Sequence, residues 1–337
     1  MRKSKILSAI VENYIATGEA LGSKSLLSFL DFSVSSATVR NEMAELSEMG
    51  YLEQPHTSAG RIPSQKAYRY YVDNVMENII ISPREQKAIE DTLRKSADDP
   101  EHILTSASEI LAQLTGYVAI STTPPTDKTT IERIRLVQTG NHTAMMVLIT
   151  STGMVKNRLF RSDYNITADV MAVFERALNE MLTDVLLSAI TPAFIQTVAV
   201  ALGDLMILMP QVLLAVADAA KEASVINLCL NGQTNLLLIS EFDLISVRGI
   251  MRFLSNSLNI ENLLFSVPDK TTVLLGGESK ISEIQNTSIA VSRYQIQGSP
   301  AGSIAVMGPT RMDYARILAH LEYISHLSGK LISELLE

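Results

Sequence analysis

Residues 35–68 read SSATVRNEMAELSEMGYLEQPHTSAGRIPSQKAY, and the order of signals in that stretch decides the architecture of the N-terminus. Ser35-Ser36 is an N-cap signal, because a serine hydroxyl accepts from the free amides of a first helical turn. Gly50 closes the helix that follows. On a helical wheel, Val39, Met43 and Leu46 share one face and form a core stripe. Ala37, Asn41, Ala44, Glu45 and Glu48 lie opposite, with Thr38 and Arg40 on the flanks. A short strand over 51–54 then runs into the turn-rich PHTSAGRIP, and Ser64 caps another helix. Upstream, Ile6, Leu7, Ile10, Val11 and Tyr14 recur at helical spacing, which predicts a helix over 4–17. A second helix is expected from Gly22-Ser23, carrying Leu26, Leu27 and Leu30. Helix, helix, helix, hairpin, helix is the order of a winged helix-turn-helix.

An outward face that is small or hydrogen-bonding in its first half and acidic in its second should enter a major groove by its N-terminal end. Ala37, Thr38, Arg40 and Asn41 are therefore the candidate base readers. Asn41 suits adenine, Arg40 suits guanine or phosphate, and Thr38 suits a base edge or methyl group. Ser36 and the helix N-terminal amides can hold a phosphate. The candidate wing is His56, Thr57, Ser58 and Arg61, with Gly60 giving the tight turn and Arg61 aimed at a narrow minor groove. Lys24, Lys66 and Arg69 are further candidate phosphate contacts, which position without specifying. Tyr68, Tyr70 and Tyr71 are expected to pack rather than stack on bases, since Tyr68 and Tyr71 share an apolar stripe with Val72, Val75 and Ile79. The same pattern also suits an ordinary solvated helix followed by an ordinary loop.

Composition narrows the alternatives. The chain has 337 residues, 47% of them hydrophobic, enough for two or three domains with large cores. A lone Cys229 excludes a disulfide framework or a thiolate zinc cluster and fits a reducing cytosol. The five histidines show no ligand spacing, and His320 and His326 are expected as solvated residues on the last helix; no metal or cofactor is expected. Net charge is −8, yet the first 75 residues carry eight basic and eight acidic side chains, so the acidity lies wholly behind them. The most hydrophobic run, 198–217, holds Asp204, Pro210 and Gln211, and is a poor membrane span. A cytoplasmic chain with no membrane partner is the expectation. No GxSxG, P-loop, HExxH or GxGxxG motif occurs, so no catalytic residue is expected and an enzyme is disfavoured.

Behind the first unit, Ser82-Pro83-Arg84-Glu85 opens a helix, Asp98-Asp99-Pro100 breaks it, and a further helix runs to Gly116. Strands follow: VAIST, then IERIRLVQ, TAMMVLIT and MVKNRLF, the last three spaced as an antiparallel meander. Residues 166–223 read as apolar helices. Short strands return in VINLCL and NLLLIS, then a helix near 246–256, strands TTVLLG, IAVSRYQI and SIAVMG, and a long helix over 312–336. Strands on both sides of a helical block indicate one α+β domain interrupted by an insertion. Gly276-Gly277-Glu278 and Gly308-Pro309 suit turns, or the lining of a small-molecule pocket in a ligand-sensing regulator.

The stretches GSKSL (22–26), SSATVRNEM (35–43), EQPHTSAGRIPS (53–64), YRYYVD (68–73) and GPTRMDY (308–314) closely resemble the HrcA family of heat-inducible transcription repressors. The likeness runs over essentially the whole chain. Leu21, Ser64 and Ala67 stand where Val, Thr and Gly are expected, mild departures. The resemblance implies a winged helix over 1–80, a GAF-like domain over 81–165 and 269–337, and a mostly helical dimerisation domain inserted over 166–268. It further implies a homodimer on an inverted-repeat operator (the CIRCE element) ahead of chaperone operons, kept active by a GroEL-type chaperonin.

Overall fold

A computed structural model of the chain describes residues 2–55, 60–124, 128–268 and 270–336. The N-terminal unit, here the head, is built on α1 (Arg2–Thr17), α2 (Ser36–Glu48) and α3 (Gln65–Asn74), with a hairpin of β1 (Leu52–Glu53) and β2 (Ile62–Pro63) between the last two. Serine caps start α2 and α3: the Ser35 side chain accepts from the Thr38 amide and the Ser64 side chain from the Ala67 amide. The expected second helix is a single 3-10 turn, Ser25–Phe29, whose Leu26 is fully buried while Phe29 stays exposed. Leu27 and Leu30 are only partly buried beside it, too little apolar face to carry a longer helix. The exit helix stops at Asn74, so Ile79 lies beyond it and is exposed, although it completes the stripe in sequence.

The second unit, the body, has the five-stranded antiparallel sheet β7-β3-β10-β9-β8 at its centre. Its strands are β3 (Val118–Thr122), β7 (Leu228–Asn231), β8 (Thr272–Leu275), β9 (Thr287–Ile296) and β10 (Ser299–Pro309). One face is covered by α5 (Pro100–Thr115) and α12 (Tyr314–Leu335), to which α4 (Pro83–Lys95) is added; α10 (Leu244–Leu254) and α11 (Ser257–Ser266) cover the other. Proline at the first turn and caps from Ser82 and Asp99 begin α4 and α5 as the sequence predicts. The apolar run after Gly232 is not a strand: Gly232 is left-handed, residues Gln233–Leu238 form a 3-10 turn, and only Leu236 is buried. Gly308-Pro309 ends β10 and makes no separate turn.

The third unit departs from the expected boundaries. β4 (Ile131–Gln138), β5 (Thr143–Thr150) and β6 (Val155–Arg161) do form the predicted meander, but as a separate three-stranded sheet. Their inward side chains pack with α6 (Ala168–Leu182), α7 (Pro192–Leu202), the one-turn α8 (Leu205–Leu208) and α9 (Gln211–Ala223) in one closed cluster around Phe174 and Val212. The insertion therefore begins just after β3 and ends just before β7, in place of 166–268, and it is an α/β sandwich rather than mostly helical. Its two ends meet: the Thr123 amide donates to the Asn227 carbonyl at 3.0 Å, and the Asn227 amide to Thr123 Oγ1 at 2.9 Å. The outer edge of β4 is covered by α6, whose Asn179 side chain accepts from the Ile134 amide and donates to its carbonyl, both at 2.8 Å. That pairing satisfies backbone groups that would otherwise template another strand.

His320 also departs from expectation. It is 3% exposed, with Nδ1 2.8 Å from the Arg316 carbonyl and Nε2 2.9 Å from Glu85 Oε1 at the start of α4. Because α12 is buried against both the sheet and α4, its apolar face is too wide for a surface position at 320; His326 does lie exposed. No helix among the described residues is long and apolar enough to cross a membrane.

Candidate nucleic-acid interface

Val39, Met43 and Leu46 pin α2 into the head core beside Ile6, Ile10 and Leu26, as the wheel predicts. That anchoring decides which side chains face outward. Ala37, Arg40, Asn41 and Ala44 are exposed, and Ser36 and Thr38 are half-buried at the N-terminal end. The Thr38 hydroxyl lies 2.9 Å from the Ser35 hydroxyl, so it is engaged in the cap and Thr38 presents mainly its methyl group. Two of the helix's three carboxylates are paired from within the head, and Glu48 stands exposed at its C-terminal end. Lys3 pairs with Glu45, and Arg2 lies 3.9 Å from Glu42. The hydrogen bond and charge of Glu45 push the Lys3 ammonium above its usual range. Arg40, with no partner among the described residues, and the amide of Asn41 thus dominate the N-terminal half of the outward face, over a helix N-terminus that favours anions.

The hairpin beside α2 is pinned at its base. Leu21 and Arg61 exchange backbone hydrogen bonds at 2.9 and 3.0 Å. A Cβ placed on Gly60 would lie 2.5 Å from the Leu21 carbonyl carbon, so only glycine lets the two segments approach this closely. Arg61 is half-buried there. His56, Thr57 and Ser58, the other wing candidates, lie outside the described residues. Lys24 is exposed, three residues beyond Leu21.

Two of the expected phosphate contacts are held elsewhere. Lys66 donates to the Met49 carbonyl at the C-terminal end of α2, 2.9 Å away, and its ammonium sits 4.5 Å from the Tyr51 ring centroid. Arg69 faces the body: its guanidinium binds both carboxylate oxygens of Glu278 and donates to the Val273 carbonyl at 2.7 Å. It reaches Asp73 as well, at 3.3 Å. Tyr68 and Tyr71 are buried as expected; the Tyr68 ring meets Tyr314 edge-on, with centroids 6.1 Å apart.

Residues that sequence reasoning did not assign gather at this head–body seam. Arg311 bonds Glu241 and donates to the Ile15 carbonyl at 2.7 Å, near the end of α1. Gln65 donates to the Leu275 carbonyl at 2.6 Å. Gly276-Gly277-Glu278 is a 3-10 turn that receives Gln65 and Arg69 from the head. The signal for this seam lay in the stretch GPTRMDY, read only as a resemblance. In the fold it places Arg311 at α1, buries Met312, caps α12 with Asp313 and sets Tyr314 against Tyr68.

The matching family model and the named relatives agree on one family. Residues 101–318 match the family described as "HrcA protein C terminal domain". A protein named heat-inducible transcription repressor HrcA from Desulforudis audaxviator is 34% identical over 99% of this chain and 98% of its own length. Proteins of that name from Natranaerobius thermophilus and Brevibacillus brevis are 32% and 33% identical, over 96% and 99% of this chain and 94% and 98% of theirs. A crystal structure described as a hypothetical protein superposes with a TM-score of 0.67 at 25% identity, over 99% of this chain and 97% of that one. The chain belongs to the HrcA family of heat-inducible transcription repressors.

Proposed function

We propose that the chain is a negative regulator of chaperone operons that binds an inverted-repeat operator, the CIRCE element, as a homodimer in the cytoplasm. The head is read as a winged helix, the body as GAF-like and the insertion as the dimerising unit. The observation that carries the reading is the outward face of α2, where Arg40 and Asn41 stand exposed at an anion-favouring N-terminus while Arg2 and Lys3 pair with Glu42 and Glu45 behind them. Asn41, Arg40, Ala37 and the Thr38 methyl group read bases in the major groove. Lys24, Ser36 and Arg61 hold the phosphate backbone and groove edge, and His56, Thr57 and Ser58 belong to the wing.

Dimerisation through the insertion is supported by its exposed Leu159, Val200, Ile207 and Leu214, large apolar side chains on a unit that already has a closed core. A GroEL-type chaperonin is the proposed partner that maintains the active form. Leu237, Leu238, Leu244 and Ile245, all more than 60% exposed, are the kind of surface such a partner engages. The ligand-sensing alternative loses the residues it rested on, since 276–278 receives the head and 308–309 lies in a strand. The test is a footprint of the purified chain on DNA upstream of its own gene. Protection of two symmetric half-sites supports the reading, and uniform coverage without a protected repeat overturns it.

A further inference from the structure

The head is not tethered to the body but fastened to it at three places in a row. At one end, Arg69 grips Glu278, whose carboxylate is itself held by the Leu275 amide at 2.9 Å, and Gln65 adds its bond to the Leu275 carbonyl. At the other, Arg311 joins Glu241 of the body to the Ile15 carbonyl of the head. Between them the Tyr68 and Tyr314 rings are buried edge to face. The apolar core runs unbroken from α1, α2 and α3 into α5, β10 and α12. The fasteners grip α1 and α3, which share one core with α2, so they fix its direction relative to the body.

Resting on the proposed operator reading, we infer that Glu278 and Glu241 are positioning residues: through Arg69 and Arg311 they hold each head in one orientation and make the dimer selective for the spacing between half-sites. Two heads on slack connections contribute through effective concentration and tolerate a range of spans. Two heads fixed to a rigid pair of bodies bind both half-sites only when the duplex presents them at the matching distance and rotation. Neither carboxylate lies on the outward face of α2, so removing them leaves the base-reading groups intact. With them gone the head still shares its apolar core with the body, but it loses the ion pairs that set its angle on either side of the Tyr68–Tyr314 contact, and rocking about that contact relaxes the spacing.

The experiment uses the full chain and duplexes cut from its footprinted upstream region. One carries the natural repeat, a second carries the repeat lengthened by about two base pairs, which swings one half-site by roughly 70°, and a third carries a single half-site. The wild-type chain should lose about tenfold or more in affinity on the lengthened repeat. The Glu241→Ala/Glu278→Ala chain should lose only about threefold or less between the two repeats, bind the natural repeat more weakly than wild type, and match wild type on the half-site. Glu278→Gln, which keeps an acceptor without charge, should fall between them. Tyr68→Phe removes a buried hydroxyl with no partner among the described residues, so it should keep the wild-type spacing penalty. An unchanged penalty in the folded, dimeric double variant overturns the inference, as does a Tyr68→Phe chain that behaves like the double variant. A wild-type chain that does not prefer the natural repeat to its half-site overturns the operator reading itself, a distinct result.

Discussion

Lys66 offers two incompatible roles, and a single substitution separates them. As a phosphate contact, its loss lowers the slope of log affinity against log salt by about 0.9 and weakens every sequence alike. The structure instead engages its ammonium with the Met49 carbonyl and the face of Tyr51. A cation at a helix C-terminus contributes about 0.3–1 kcal/mol, and an exposed cation–π contact about 0.5–1 kcal/mol. One ammonium makes both contacts, so Lys66→Ala should cost about 1–2 kcal/mol, taken locally from the last turn of α2. That corresponds to amide exchange faster by about five- to thirtyfold for the amides between Glu45 and Tyr51, since each 1.4 kcal/mol is roughly a factor of ten. Hydrogen exchange read by mass spectrometry measures this, and operator titrations at several salt concentrations measure the slope. The slope of Lys66→Ala should equal that of wild type, whereas Lys24→Ala should lower it by about 0.9. A lowered slope with unchanged exchange in Lys66→Ala would refute the capping role and restore the phosphate contact.

Four further outcomes follow from the same geometry. Asn41→Ala should lose about 1–3 kcal/mol on the operator and relax preference at one base position, measured by competition with single-base variants. Gly60→Ala meets the Leu21 backbone, which cannot move aside as a side chain could; it should destabilise the hairpin by about 1–3 kcal/mol and weaken operator binding while α2 keeps its exchange protection. Joining Thr123 to Asn227 through a short glycine linker should leave a folded head and body that sediment as a monomer, and a persistent dimer would place the dimer interface outside the insertion. Burial alone would raise the Glu241 carboxyl, but its bonds to Ser240, its own amide and Arg311 outweigh it and hold the group below the usual range. Its contribution to the seam is therefore present above the ordinary carboxylate range and lost as pH falls through its folded value, so the acid limb of a stability profile should flatten in Glu241→Gln.

What the sequence disclosed was local. Ser35, Ser64, Ser82 and Asp99 announce helices because a cap and its amide lie three residues apart, and the meander from 131 to 161 announces itself by alternation and turns. The position of the insertion was hidden because period-two strands on either side of Thr123 look alike, and only the packing of Phe174 and Val212 beneath β4–β6 tells which sheet owns them. The run at 235–240 has strand composition, and the left-handed Gly232 ahead of it was the overlooked sign of a turn. Within the candidate site, Arg40 and Asn41 were legible because one helical wheel contains both them and the core they oppose. Arg69 was not, because its partner Glu278 stands 209 positions away, and Ile15 and Arg311 are 296 apart. A lysine or arginine near a predicted groove reads as a DNA contact until its anion is found.

The closed neck at Thr123 and Asn227 has a thermodynamic meaning. Chain ends that already touch let roughly a hundred residues be looped out for a closure entropy of only about 4 kcal/mol. That cost is independent of what the loop contains, so the looped segment must stabilise itself, and its separate cluster around Phe174 does so. Head and body, by contrast, share one cluster and must melt together. On warming, the insertion is free to unfold as its own cooperative unit without parting β3 from β7, because the neck bonds survive its loss. A chain in that half-melted condition keeps its reading surface but has lost the module proposed to join it to a second copy. Because the two cores are separate, assembly and the reading surface can be lost at different temperatures, each set by the stability of its own cluster.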